Sequence, residues 1–207
     1  MRASNYNVTL QAQPNNAINV SFSVGYSRNW RKQDQYVDII SYNGSSKYII
    51  SEVNQKTLRY TLRLNYNVTP ELTIQYYGQP FITRPVYKNF GLVKDPLNKS
   101  YDARFQRFDP GQIKQNSEGY TVDENQDGLA DYSFGNPDFN FVQFRSNLVA
   151  RWEYKPGSEL YLVWSQGNTP SVGVEPTTRL SANLFDHLFD EQGKNIFLLK
   201  ATYRLVR

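Results

Sequence analysis

Residues 123–131 read Asp-Glu-Asn-Gln-Asp-Gly-Leu-Ala-Asp, and their spacing carries the plainest chemistry in the chain. Oxygen-bearing side chains fall at relative positions 1, 3, 5 and 9, a glycine at position 6 permits a sharp turn, and position 7 offers a backbone carbonyl. Hard cations such as calcium take oxygen sets of this kind. The expected ligands are the side chains of Asp123, Asn125 and Asp127, the Leu129 carbonyl, and Asp131 directly or through water. Phe134 stands where an EF-hand has its bidentate Glu, so the loop is not an EF-hand and its calcium should be weakly held and structural. An exposed Asp/Asn/Gly turn without metal is the competing reading.

Other reactive types are sparse. His187 is the single histidine, and Asp186 and Asp190 beside it suggest acid–base work. Neither a nucleophile elbow nor a second metal-binding imidazole accompanies it, so a solvated helix residue is expected. The carboxylates Glu153, Glu159, Asp138 and Asp186 show no spacing that defines a glycosidase pair. Arg59, Arg63, Arg145 and Arg151 fall on the polar side of alternating segments, where they either attract anions or pair with acids such as Glu153. The chain therefore reads as non-enzymatic, with no catalytic or cofactor-binding residue assigned. Cysteine is absent, which removes thiol chemistry and disulfides. A formal net charge of +4 without a Lys/Arg run gives no footprint for nucleic acid.

The elements that must position these residues are strands. Three short turns, at residues 14–16, 69–71 and 156–158, each join segments of alternating polarity. The clearest segment sets Leu58, Tyr60, Leu62, Leu64, Tyr66 and Val68 against Thr57, Arg59, Thr61, Arg63, Asn65 and Asn67. Its length suffices to cross a bilayer when tilted. Similar alternation runs through Val8–Ala12, Ile18–Tyr26, Leu72–Tyr76, Leu148–Tyr154, Leu160–Trp164 and Phe197–Leu205. Pairing 13 with 17, 68 with 72, and 155 with 159 keeps every apolar set on one face.

Short turns at one end and long connections at the other predict an all-β fold, the antiparallel up-and-down transmembrane β-barrel of a bacterial outer membrane. About seven strands are present, with short periplasmic turns and long extracellular loops at about residues 28–56, 79–142 and 167–194. The mean hydropathy of −0.64 fits, because only alternate residues would face lipid. Alternation at Tyr36–Tyr42 and Lys47–Val53 suggests a hairpin within the first long connection. Leu180, Leu184 and Leu188 recur at helical spacing in the third. Seven strands leave the termini on opposite sides, whereas bacterial barrels have even strand numbers. Residues 1–207 are thus expected to be the C-terminal part of one larger barrel domain, without their own signal segment. A soluble antiparallel sandwich is the alternative architecture.

The stretch FGNPDFNFVQFRSNLVARWEYKPGSELYLVWSQ at 134–166, IQYYGQPF at 74–81, YTVDENQDGLADYSFGNPDFNF from 120 and the terminal NIFLLKATYRLVR resemble one family over most of residues 58–207. It is the C-terminal β-barrel domain of unknown function in outer-membrane proteins of Bacteroidota that carry an N-terminal module resembling family 9 carbohydrate-binding domains. The resemblance implies an outer-membrane location, lipid around the barrel, a glycan ligand held by the upstream module, and outer-membrane protein partners. It implies no activity. A barrel segment serving as anchor or passage for a glycan-related envelope protein is the expected function. The alternatives are a soluble carbohydrate-binding or hydrolytic β-protein and a scaffold subunit of an outer-membrane complex. Arg207 departs from the terminal aromatic residue of many such barrels.

Overall fold

The computed structural model describes residues 2–173 and 178–205, the side chains of 31–33 apart. Strands dominate: β1 (Arg2–Asn15), β2 (Ile18–Tyr42), β3 (Ser45–Asn67), β4 (Leu72–Val93), β5 (Phe105–Arg107), β6 (Ile113–Gln115), β7 (Gly119–Val122), β8 (Tyr132–Gly135), β9 (Asn140–Lys155), β10 (Ser158–Asn168), β11 (Ser171–Val172) and β12 (Lys194–Ala201). One α-helix is described, α1 (Leu180–His187), besides a single 3-10 turn at Asp102–Arg104. The main sheet runs β1-β2-β3-β4-β9-β10-β12 in antiparallel order, with β5 added to β4 and β11 to β9; β6-β7-β8 form a second sheet. The fold is all-β and antiparallel. Among the described residues the main sheet does not close, and β1 and β12 are its two ends.

Two of the long connections carry regular structure. Residues 28–56 hold the expected hairpin, because β2 and β3 continue to a two-residue turn at Asn43 and Gly44. Both have positive φ, 48° and 72°, the conformation that lets a hairpin turn follow the twist of its strands. Within 79–142, β4 continues to Val93 and β5 to β8 follow, so apolar side chains build a core instead of an open loop. The third connection holds β11 and α1; residues 174–177 of it, like Arg207, lie outside the described residues.

The 68–72 register holds. Val68 N–H donates to the Leu72 carbonyl at 2.8 Å, Gln79 Nε2 donates to Thr61 Oγ1 at 3.2 Å, and the Thr57 and Thr83 hydroxyls lie 2.9 Å apart. The expected pairing of 155 with 159 is displaced: Lys155 pairs with Ser158, an irregularity follows, and Leu160 then faces Trp152. A slip of two residues keeps each side chain on its face, whereas a slip of one would invert the sheet. At the first turn the chain reverses at residues 16–17, and Asn15 Oδ1 accepts from the N–H groups of Ala17 and Ile18, both at 2.9 Å. Pro14 therefore sits within β1, a terminal strand where a missing N–H is tolerated.

The chain divides into two compact units. The first comprises Met1–Ser4, Arg28–Gln55 and Pro85–Phe139. Its core gathers Ile49, Phe90, Leu92, Val122, Tyr132 and Phe134, with the Phe90 ring 4.5 Å from Tyr120 and 5.2 Å from Phe134 between centroids. Lys47 bonds Glu124 at 3.0 Å, and Arg107 bonds Asp34 at 2.6 Å.

The second unit comprises Asn5–Ser27, Lys56–Arg84 and Asn140–Arg207. Register fixes its faces: Leu72, Ile74 and Tyr76 oppose Trp152, Ala150 and Leu148, which in turn oppose Leu160, Leu162 and Trp164. Leu162 and Trp164 then oppose Leu199 and Phe197 on β12. One face is thus continuously apolar. Helix α1 lies on part of it, where Leu184 and Leu188 pack with Leu58, Ile82, Val142 and Phe144. Eight residues cannot hold a helix in water alone, so this burial, about 1.5–3 kcal/mol per side chain, keeps α1 folded.

Candidate functional site: a polar groove and an acidic loop

The opposite face of the second unit carries the polar alternates, and they surround a groove of about 530 Å³. β3 contributes Arg59, Thr61, Arg63 and Asn65; β2 contributes Asn19, Ser21 and Ser23; Asn7 and Gln11 come from β1, and Gln79 from β4. No Asp or Glu lines it. Gly25 lies at one end, where even a Cβ would come within 3.4 Å of Asn7 Oδ1 and 3.9 Å of Arg59 Nε. Arg63 lies over the Tyr77 ring, 5.4 Å from its centroid, and also lines an adjoining depression with Tyr77 and Asn147. Among the described residues neither Arg59 nor Arg63 has a carboxylate partner in an ion pair.

Arg151, on the same face, is neutralised. Its guanidinium bonds Glu159 through Nε at 3.0 Å and through Nη2, with Glu153 at 3.8 Å, and the Tyr161 hydroxyl donates to Glu159 at 2.8 Å. The expected ion pairing with Glu153 is present at Arg151, although Glu159 is the nearer acid. The two carboxylates converge on one cation, an arrangement that balances charge. Arg145 borders a second depression, beside Asn147, Asn168 and Lys194.

The acidic loop belongs to the first unit, between β7 and β8. Asp123 accepts from the N–H of Asp127 at 3.2 Å and of Gly128 at 2.9 Å. Asn125 Oδ1 accepts from Asp127 N–H at 3.1 Å, and Asp127 Oδ1 from Leu129 N–H at 2.9 Å. The side chains of positions 1, 3 and 5 therefore all turn into the loop. Gln126 and Gly128 make the turn with φ of 58° and 92°. Asp131 is placed differently: its Oδ1 accepts from the Tyr42 hydroxyl and its Oδ2 from Glu124 N–H at 2.7 Å, which joins the two ends of the loop. These bonds hold its carboxyl below the usual carboxylate range. Burial, then the bond to Glu124, pushes the Tyr132 hydroxyl well up. Asp138 is raised by burial, partly offset by Tyr87 N–H donating to it at 2.7 Å. Among the described residues no three His, Cys, Asp or Glu side chains are grouped to hold a metal, so amide and carbonyl oxygens would have to complete any calcium site.

His187, the last residue of α1, is half-buried and bonds Asp190 through Nδ1 at 2.6 Å. The groove residues were not assembled by sequence reasoning. Alternation places them on one face, but the convergence of β1 to β4 around two arginines depends on strand register and twist. No described helix is long and apolar enough to cross a membrane, which does not bear on crossing by strands. Neither curated proteins nor solved structures give a match. What does match covers the polar groove, the apolar face and the acidic loop together: residues 1–205 fit the family described as "Domain of unknown function (DUF5916)", and the chain belongs to that family.

Proposed function

We propose that this chain forms part of the wall of a bacterial outer-membrane β-barrel, serving as anchor or passage for a glycan-related envelope protein. The observation that carries the reading is the exposure of large apolar side chains of one parity outside the cover of α1. Val8 is 62% exposed, Leu10 66%, Leu62 38%, Leu162 46% and Leu199 68%, while arginines, amides and hydroxyls line the other face across β1 to β4. Water-soluble monomers rarely leave such a surface open. The alternating run Leu58–Val68, its first residues covered by α1, is about 35 Å along the strand, and a tilt near 45° brings it to about 25 Å, comparable to the apolar band of such barrels. An upstream glycan-binding module and outer-membrane protein partners belong to this proposal through the family resemblance.

The test is extraction and migration. The protein should resist alkaline washing of membranes, need detergent for release, and migrate differently on gels before and after boiling. Full recovery in the aqueous fraction without detergent would overturn the membrane reading and favour a soluble glycan-binding β-protein.

Calcium is the second part of the proposal. Asp123, Asn125, Asp127 and the Leu129 carbonyl would hold the ion, with Asp131 reached through water because its oxygens bind Tyr42 and Glu124. The donor chemistry fits, since the Asx-type bonds turn three side-chain oxygens inward before any cation arrives. An affinity on the order of 10⁻⁴ to 10⁻³ M is expected without the twelfth-position Glu. Calcium should protect the 123–131 loop from proteolysis in the parent and not in Asp127→Ala. Equal digestion of both with and without calcium would leave a metal-free polar turn.

A further inference from the structure

We infer that the groove around Arg59 and Arg63 binds an anionic, hydroxyl-bearing solute of monosaccharide size, its charged group a phosphate or a carboxylate. The inference rests on reading the polar face as the solute-facing side of the protein, and it deepens the passage role by naming what that face selects.

Three features of the groove point there. Its two guanidiniums, two turns of the pleat apart on β3, have no carboxylate partner among the described residues, and the lining contains no acid. This differs from Arg151, whose charge is met by Glu159 and Glu153 on the same face. A guanidinium without a carboxylate partner offers a planar fork of donors that matches phosphate and carboxylate oxygens. Next, the other lining side chains, among them Asn7, Ser21, Thr61 and Asn65, are hydroxyls and amides. Hydroxyls and amides both donate and accept, as the hydroxyl groups of a polyol require. Finally, about 530 Å³ lies within the range of small-molecule sites, and the glycine at 25 keeps one end of the groove low beside Arg59. The lining has no apolar side chain, so a solute that binds by apolar burial gains little here.

Isothermal titration of the purified protein with glucose 6-phosphate, glucuronate, glucose and inorganic phosphate tests the inference. The first two should bind, with glucose and free phosphate at least tenfold weaker, because each lacks one half of the chemistry. Binding should weaken as sodium chloride is raised, since the arginines are exposed. Arg59→Gln with Arg63→Gln should lower affinity for glucose 6-phosphate at least tenfold, and the double Lys variant should retain part of it. Far-ultraviolet circular dichroism of each variant confirms that the sheet is intact. Inorganic phosphate binding as well as glucose 6-phosphate would reduce the groove to a simple anion site and overturn the inference. So would equal binding by the Gln variant. The two readings fail separately: a protein that needs no detergent yet binds through its arginines loses the membrane and keeps the groove, and a detergent-requiring protein with arginine-independent binding does the reverse.

Discussion

Replacing Leu62 by Arg should destabilise the protein in lipid vesicles by about 2–4 kcal/mol, the cost of a charge near the middle of an outer-membrane barrel's lipid face. Position 62 is 38% exposed and lies on the apolar side of β3, between Arg59–Thr61 and Arg63 of the groove. If water met that face, an arginine at a site already partly exposed would change stability by no more than about 0.5 kcal/mol. The two solvents thus predict values several-fold apart. Thr61→Arg, one residue away on the polar face, supplies the control, since it adds the same charge where solute and water are expected. Denaturant titration of both variants refolded into vesicles gives the comparison. A Leu62→Arg cost no larger than that of Thr61→Arg would mean that the apolar face does not meet lipid.

The faces were legible because alternation has a period of two and the register slip at the third turn was itself two residues long. The slip at Lys155–Ser158 moved Leu160 from Tyr154 to Trp152, one apolar neighbour for another, so the error cost the face assignment nothing. Strand ends were less legible. The alternation at Tyr36–Tyr42 and Lys47–Val53 announces a hairpin and Asn43-Gly44 marks its turn, but neither shows that both strands run on unbroken into Ile18–Tyr26 and Leu58–Val68. The core of the first unit was hidden for another reason. Its members Ile49, Phe90, Val122 and Phe134 lie far apart in sequence on short strands, and strands of three or four residues are too brief to show periodicity. The acidic loop was legible as a turn, in which Asp123, Asn125 and Asp127 accept bonds from its own N–H groups. Asp131 was not, because its partner Tyr42 is 89 residues away and nothing local announces a tyrosine hydroxyl on that carboxylate.

The groove occupies an intermediate position. Spacing alone places Arg59 and Arg63 on the polar face, where ion pairing and anion attraction are both open. Which outcome holds depends on the acids brought opposite, and that is a matter of register: Thr73 and Tyr161 flank Arg151 on its neighbouring strands, and Glu159 lies two residues from Tyr161. The β3 arginines share their groove with hydroxyls and amides and no acid, and Arg63 lies over the Tyr77 ring.

Truncating Phe90 to Ala should cost about 3–5 kcal/mol and should act first on the unit to which it belongs. The ring is buried and touches Tyr120 and Phe134, one from β7 and one from β8, so it ties the three-stranded sheet to the distal part of β4. Its loss leaves a cavity the neighbouring rings cannot fill without leaving their rotamers. The first unit has a core of its own, separate in membership from the cluster of Leu58, Ile82, Val142, Phe144, Leu184 and Leu188. Units with separate cores open separately when one is weakened. Hydrogen exchange of the variant should therefore show faster exchange in β6, β7 and β8, whose short ladders depend on that core, while the amides of β9 paired with β10 keep their protection. The same loss should release the acidic loop, whose two ends leave β7 and enter β8, and with it any calcium-dependent protease protection. Uniform loss of protection across β7, β8, β9 and β10 would instead show a single cooperative body. Stretches read as extracellular loop would then be part of what holds the sheet together.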